Sequence, residues 1–198
     1  EFVQKNSRML FYIGGAILLL IVAFYGYSYF IDKRNDAAKN EIFKLQIMFD
    51  KDSFDIVLNG RPNADPAKAI KSADEIIDEF SGTEQASLAR YYAGVASLRK
   101  GKFDEAISYL KKYSGSDEIT ASIAIGLIGD AYVEKGPDNY KEAVSYYEKA
   151  ASNSSNNYTS PVYLKKAAGV YEELKEYKKA LNCYELIKKN YPKSNTAA

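Results

Sequence analysis

The 198-residue chain carries 27 Lys plus Arg against 26 Asp plus Glu, and with Glu1, Lys5 and Arg8 set aside the remainder balances at 25 of each sign. Nucleic-acid binding needs a dense basic surface to displace counterions, so a neutral chain argues against that class. With no histidine, the commonest general base and the commonest transition-metal ligand are both missing, and the single Cys183 has no partner for an internal disulfide.

Taken in chain order, residues 1–8 form a short polar tail. The chain starts at Glu1 rather than Met and stops soon after a helix-ending signal, so both ends are expected to be trimmed. Residues 9–31 carry no charge at all. As a helix they reach about 35 Å, enough to cross a hydrocarbon core of about 30 Å with some tilt. Lys5 and Arg8 close one end, and Asp32, Lys33 and Arg34 close the other. Tyr25, Tyr27, Tyr29 and Phe30 crowd the second boundary, where aromatic rings favour the headgroup region. The block is longer than the apolar core of a cleaved signal peptide and has no polar stripe, so a retained transmembrane helix is expected. Basic residues flank both ends, so the charges do not settle its orientation.

Residues 32–63 read as a linker helix and loop. Residues 37–49 form an amphipathic helix with Ile42, Leu45 and Phe49 on one face, and the stretch 52–66 contains a turn. Residues 64–82 read as one helix, with Ala69, Ala73, Ile76, Ile77 and Phe80 inward and Gly82 as its stop.

Beyond this point the sequence repeats. Ala106, Ala143 and Ala180 are each separated by 37 residues, with an aromatic residue three before and a bulky one four after. The triplets are Phe103/Ala106/Leu110, Tyr140/Ala143/Tyr147 and Tyr177/Ala180/Tyr184, each at helical spacing on one inward face. Another helix precedes each triplet, with a small residue near its middle at Gly94, Gly129 and Ala168. Tyr132 and Tyr171 follow the last two, and Ser97 takes that place in the first. Gly101 and Gly136 are placed to end first helices in a left-handed conformation. Residues 153–157 form a polar linker, Pro192 stops the last helix, and 194–198 form a C-terminal tail. The expectation is an all-α chain: a transmembrane helix, then a repeat domain over residues 64–193.

Helical hairpins with this small–aromatic–Ala–aromatic order resemble tetratricopeptide repeats, with three units over about residues 86–193. The early large aromatic of that pattern is absent, and only the last unit keeps the terminal proline. Read over nearly its full length, the chain is similar to the YfgM-like ancillary subunits of the bacterial Sec translocon. The strings LARYYAGVASLRKGKFDEAISYLKKY, AIGLIGDAYVEKG and SYYEKAA carry that likeness. The resemblance implies a single-pass anchor in the bacterial inner membrane, the N-terminus in the cytoplasm and the repeats in the periplasm. It implies as partners the SecYEG channel, periplasmic chaperones or exported clients. A structural subunit of another envelope or secretion complex would share the same layout.

Stacked hairpins create a concave face lined by the first helix of each unit. Leu88, Tyr91, Val95 and Leu98 are expected there from the first unit, Asp130, Val133 and Glu134 from the second, and Lys165, Gly169 and Glu172 from the third. Tyr91 and Leu98 form an exposed stripe in this reading, although Leu88, Val95 and Val133 have an alternative place between helices. A tail clamp of the Hsp90 type needs Lys and Asn where Tyr91, Val95 and Asp130 stand, so that clamp is not expected. The pairs Asp74/Asp78 and Asp104/Glu105 fall on solvated faces or turns, and Cys183 reads as a packing residue. No Gly-rich phosphate loop or metal-ligand spacing occurs, so no catalysis, cofactor, metal or small-molecule substrate is expected.

Overall fold

A computed structural model describes residues 6–63, 65 and 68–196. Among these residues nine α-helices follow one another: α1 (Ser7–Asp50), α2 (Phe54–Asn59), α3 (Ala73–Glu79), α4 (Glu84–Arg99), α5 (Phe103–Lys111), α6 (Glu118–Glu134), α7 (Tyr140–Asn153), α8 (Ser160–Glu173) and α9 (Tyr177–Asn190). The fold is all-α, a long apolar N-terminal helix followed by repeat-like hairpins. Parts of both expected tails lie outside the described residues.

Helix α1 runs unbroken for 44 residues. It is the one helix among the described residues long and apolar enough to cross a membrane, and its apolar stretch is wholly unburied. Its second half behaves differently. Ala38, Ile42 and Leu45 are buried with Val57, Ile76, Ala89 and Tyr92 in one cluster, so the stretch expected as a linker contributes to the core. Asn35 accepts a hydrogen bond from the Glu84 amide at 2.9 Å, and Arg34 donates to the Glu79 carbonyl. Phe49 meets Tyr92 with ring centroids 4.7 Å apart.

The helix expected over 64–82 is shorter than that reading. Arg61 and Ile70 instead form an isolated antiparallel bridge, their amides donating to each other's carbonyls at 2.7 and 3.0 Å. Residues 64, 66 and 67 lie outside the described residues, and the helix begins only at Ala73. Ser72 and Glu75 set that start: the Ser72 hydroxyl accepts from the Glu75 amide while the Glu75 carboxylate accepts from the Ser72 amide. This reciprocal cap satisfies two donors that a helix leaves orphaned. The S-x-x-E spacing was visible in the sequence and outweighs the apolar periodicity upstream.

Three hairpins follow, α4–α5, α6–α7 and α8–α9, joined where small residues let helices close. A Cβ on Gly94 would lie 2.6 Å from Leu110, and one on Gly129 would lie 2.7 Å from the Tyr147 ring. Gly126 does the same between units, since its Cβ would lie 1.9 Å from Tyr163. Tyr147 and Tyr163 stack at 6.2 Å, sewing the second unit to the third. Gly101 and Gly136 both have positive φ, and Lys175 takes that conformation at the matching turn of the last hairpin. The amides of Lys102 and Glu176 then donate five residues back, to Ser97 and Tyr171, closing equivalent C-caps.

One part of the inward pattern is corrected. Tyr177 and Tyr184 are exposed rather than inward. Ala168, which stands where Gly94 and Gly129 stand, is itself fully buried. No following helix among the described residues covers α9.

Candidate partner-binding groove

A groove of about 670 Å³ opens along the hairpin stack. Helix α4 supplies Val95, Leu98 and Arg99, and the start of α5 supplies Phe103. Helix α6 supplies Leu127, Asp130, Val133 and Glu134, while Tyr147 of α7 and Lys166 of α8 close the far side. These side chains meet because helical spacing puts Val95 and Leu98 on one edge of α4 and Leu127, Asp130 and Glu134 on the facing edge of α6.

Asp130 organises the groove. Its carboxylate accepts from Lys166 at 2.7 and 2.8 Å and from the Tyr147 hydroxyl at 2.6 Å. Lys166 also lies 5.7 Å from the centroids of both Tyr147 and Tyr163, over their faces. Burial, and after it the bond to Asp130, push the Tyr147 hydroxyl well above the usual phenol range. Tyr147 is therefore a neutral donor at physiological pH and does not serve as a base. Exposed Arg99 and Glu134 give the rim one charge of each sign. This arrangement suits recognition: an apolar floor, one fixed ion pair, and opposite charges at the edge. Among the described residues no group of three acidic or Cys side chains is placed to hold a metal.

The ten positions expected to share one face are divided by the fold. Val95, Leu98, Asp130, Val133 and Glu134 come together in the groove. Leu88 and Tyr91 lie outside it, half-buried against the cluster around Leu45 and Ile76. Tyr91 is not the exposed anchor of the sequence reading: its ring meets Tyr92 at 5.9 Å and Tyr113 at 5.7 Å, and burial raises its hydroxyl pKa. It packs against Tyr113, just past α5, and against the cluster of Ile107, Leu110 and Ile128 from α5 and α6, contacts that spacing along α4 alone does not reveal. Lys165, Gly169 and Glu172 point away, onto the free side of α8. Sequence reasoning missed Arg99, Phe103, Leu127, Tyr147 and Lys166. Phe103 and Tyr147 had been assigned wholly to the core, and the only sign of Lys166 was its place beside Lys165, on the edge facing the preceding unit.

Stacked helical hairpins with glycine–aromatic contacts and a side groove define a helical-repeat architecture of the tetratricopeptide kind. The tetratricopeptide repeat family matches residues 165–194, which span the end of α8 and all of α9. Over 132 residues the chain is 26% identical to Tetratricopeptide repeat protein 29 of Macaca fascicularis, covering 64% of this chain. It spans 28% of that relative's length.

Proposed function

We propose that the chain is a non-catalytic, membrane-anchored scaffold that binds protein partners through the α4–α6 groove. In this reading residues 9–31 of α1 span the bacterial inner membrane and residues 32–198 lie in the periplasm. The partner is the Sec translocon, a periplasmic chaperone or an exported client. The groove carries the proposal: half-buried Val95, Leu98 and Val133 line it beside a charged pair that is already satisfied. Such a surface gains by burying a partner's apolar side chain without breaking an ion pair. The unburied apolar half of α1 supports the anchor, and the near full-length resemblance to ancillary translocon subunits supports the partner class and orientation.

Copurification from gently solubilised membranes tests both parts. The Sec channel is expected in the eluate, and replacing Leu98 and Val133 together by Ser is expected to weaken capture by about 2 kcal/mol. Unchanged recovery with this double variant would overturn the groove. An unrelated envelope machine in the eluate would assign the scaffold to a different complex. A cytoplasm-active reporter fused after Lys189 is expected to stay silent, and activity there would reverse the orientation.

A further inference from the structure

The turn between α3 and α4 sits beside the apolar part of α1. Two hydrogen bonds pin its ends to α1: Arg34 donates to the Glu79 carbonyl, and the Glu84 amide donates to Asn35 at 2.9 Å. Between them Gly82, at positive φ, forms the tip. A Cβ there would lie 3.5 Å from the Ile31 side chain and 3.8 Å from the Tyr27 hydroxyl. Both residues precede Asp32, the first charge after the apolar stretch, and Tyr27 does so by about 8 Å of helix. The turn is also braced from within. The Thr83 amide and hydroxyl both donate to the Phe80 carbonyl, at 3.1 and 2.7 Å, and the hydroxyl accepts from the Ala86 amide at 3.1 Å. Ser81 and Gly82 are exposed, and among the described residues their amides have no hydrogen-bond acceptor.

We propose that, with residues 9–31 spanning the membrane as read above, this turn is seated in the headgroup layer and the hydrocarbon-embedded part of α1 ends near Tyr27. Two observations set the depth. Contact with Tyr27 and Ile31 puts the tip level with the last turns of the apolar stretch. Free backbone amides do not sit in hydrocarbon, where nothing accepts their hydrogen bonds, so that level is one where phosphate oxygens, ester oxygens and water are at hand. Residues 9–26 remain for the hydrocarbon, 18 residues or about 27 Å, within the length that a spanning helix uses. Tyr25, Tyr27, Tyr29 and Phe30, all exposed, then fall at the boundary that such rings favour. Charge identifies the lipid. Residues 78–84 contain Asp78, Glu79 and Glu84 and no lysine or arginine, so the turn does not attract anionic headgroups. Zwitterionic headgroups fit it, since their phosphates accept from the free amides while their ammonium groups face the carboxylates.

The chain has no tryptophan, so residues replaced by Trp one at a time each report their own depth. The full chain is reconstituted in vesicles of zwitterionic phosphatidylcholine, plain or brominated either just below the headgroup or near the bilayer centre. Ser81→Trp is expected to lose about a third of its emission to the shallow bromine and less to the deep one. Leu18→Trp, in the middle of the span, is expected to be quenched more by the deep bromine. Asp138→Trp, in the exposed turn after α6, is expected to be quenched by neither. Ser81 is exposed, so circular dichroism should be unchanged. Tryptophan itself favours the headgroup layer, so a nitroxide on Ser81→Cys, in a Cys183→Ala background, gives a second measurement. Its collisions with a water-soluble nickel chelate are expected to be about twofold rarer than those of the same label on Asp138→Cys. Quenching at Leu18 with none at Ser81, or equal access of nickel to both labels, would overturn the proposal and leave the span standing. No quenching at Leu18 would overturn the span and the turn's depth together. Equal quenching at Ser81 and Asp138 would mean that the domain adsorbs without a defined face, which would overturn the proposal as well.

Discussion

Tyrosines join several of these helices, and their ionisation sets one limit on stability. Burial pushes the Tyr92 hydroxyl up to about 12, with smaller contributions from Asp50 and neighbouring tyrosines. Tyr109, Tyr147, Tyr163 and Tyr171 are raised further, burial first in each case, with bonds to Asp74, Asp130 and Glu148 adding to three of them. A raised folded pKa means that the native state holds its protons more tightly than the unfolded chain, whose phenols titrate near 10. The stabilisation is therefore complete below about pH 10 and is lost as pH rises through the folded values. With no histidine in the chain and the Cys183 thiol also raised by burial, little else titrates near neutrality. The urea midpoint of a soluble fragment beginning at Asp32 is expected to stay level from pH 6 to 9 and to drop above about pH 10. A drop between pH 6 and 8 would contradict this. Of these tyrosines, Tyr147 and Tyr171 were legible from their spacing, and Tyr92, Tyr109 and Tyr163 were not. The carboxylate partners were not legible either, because each bond joins two helices, Tyr109 to Asp74, Tyr147 to Asp130 and Tyr171 to Glu148, and no single-helix pattern spans them.

Within each hairpin, the fit of one helix against the next depends on where a methyl group has room. Gly129 faces the Tyr147 ring and the Ala143 carbonyl, 3.1 Å from where its Cβ would stand, so the backbone of α7 leaves it no room. Gly129→Ala is expected to destabilise by about 1–3 kcal/mol through overpacking. Gly169 faces open space, and Gly169→Ala is expected to stabilise by about 1 kcal/mol through helix propensity alone. Denaturant midpoints of the two variants should move in opposite directions, and parallel shifts would mean that the helix pairing is misassigned. The small residues at 94, 129 and 168 announced the hairpins in the sequence. The boundary at Ser72 was obscured because Ala69 and Ile70 continue an apolar spacing that reads as helix. Only the capping pair and the bridge to Arg61 decide between helix and extended chain.

Across the whole molecule, the boundary between the apolar segment and the repeats falls inside one helix. Ala38, Ile42 and Leu45 are core residues, while none of the described residues before Ala38 is buried. A fragment starting at Asp32 is therefore expected to keep its fold, whereas one starting at Asp52 should lose about 3–6 kcal/mol by uncovering Ile76 and Tyr92. Denaturant titration of the two fragments checks this, and equal stabilities would show that α1 contributes no core. The sequence separated anchor from repeats by composition, but composition does not show that the helix leaving the anchor is also a wall of the first hairpin.

Continuity of α1 has a mechanical consequence. The 44-residue helix is about 66 Å long, and some 29 Å of it lies beyond the apolar stretch, clamped to α4 by Asn35, Ile42 and Leu45. The helix stays unbroken through Gly26, so the segment acts as a lever. If, as proposed, the apolar part spans a bilayer and tilts by about 20° to match a thinner one, the far end swings through about 10 Å. Bilayer thickness would then set the angle at which the groove is presented, and the same partner would meet a differently aimed surface in thick and thin membranes.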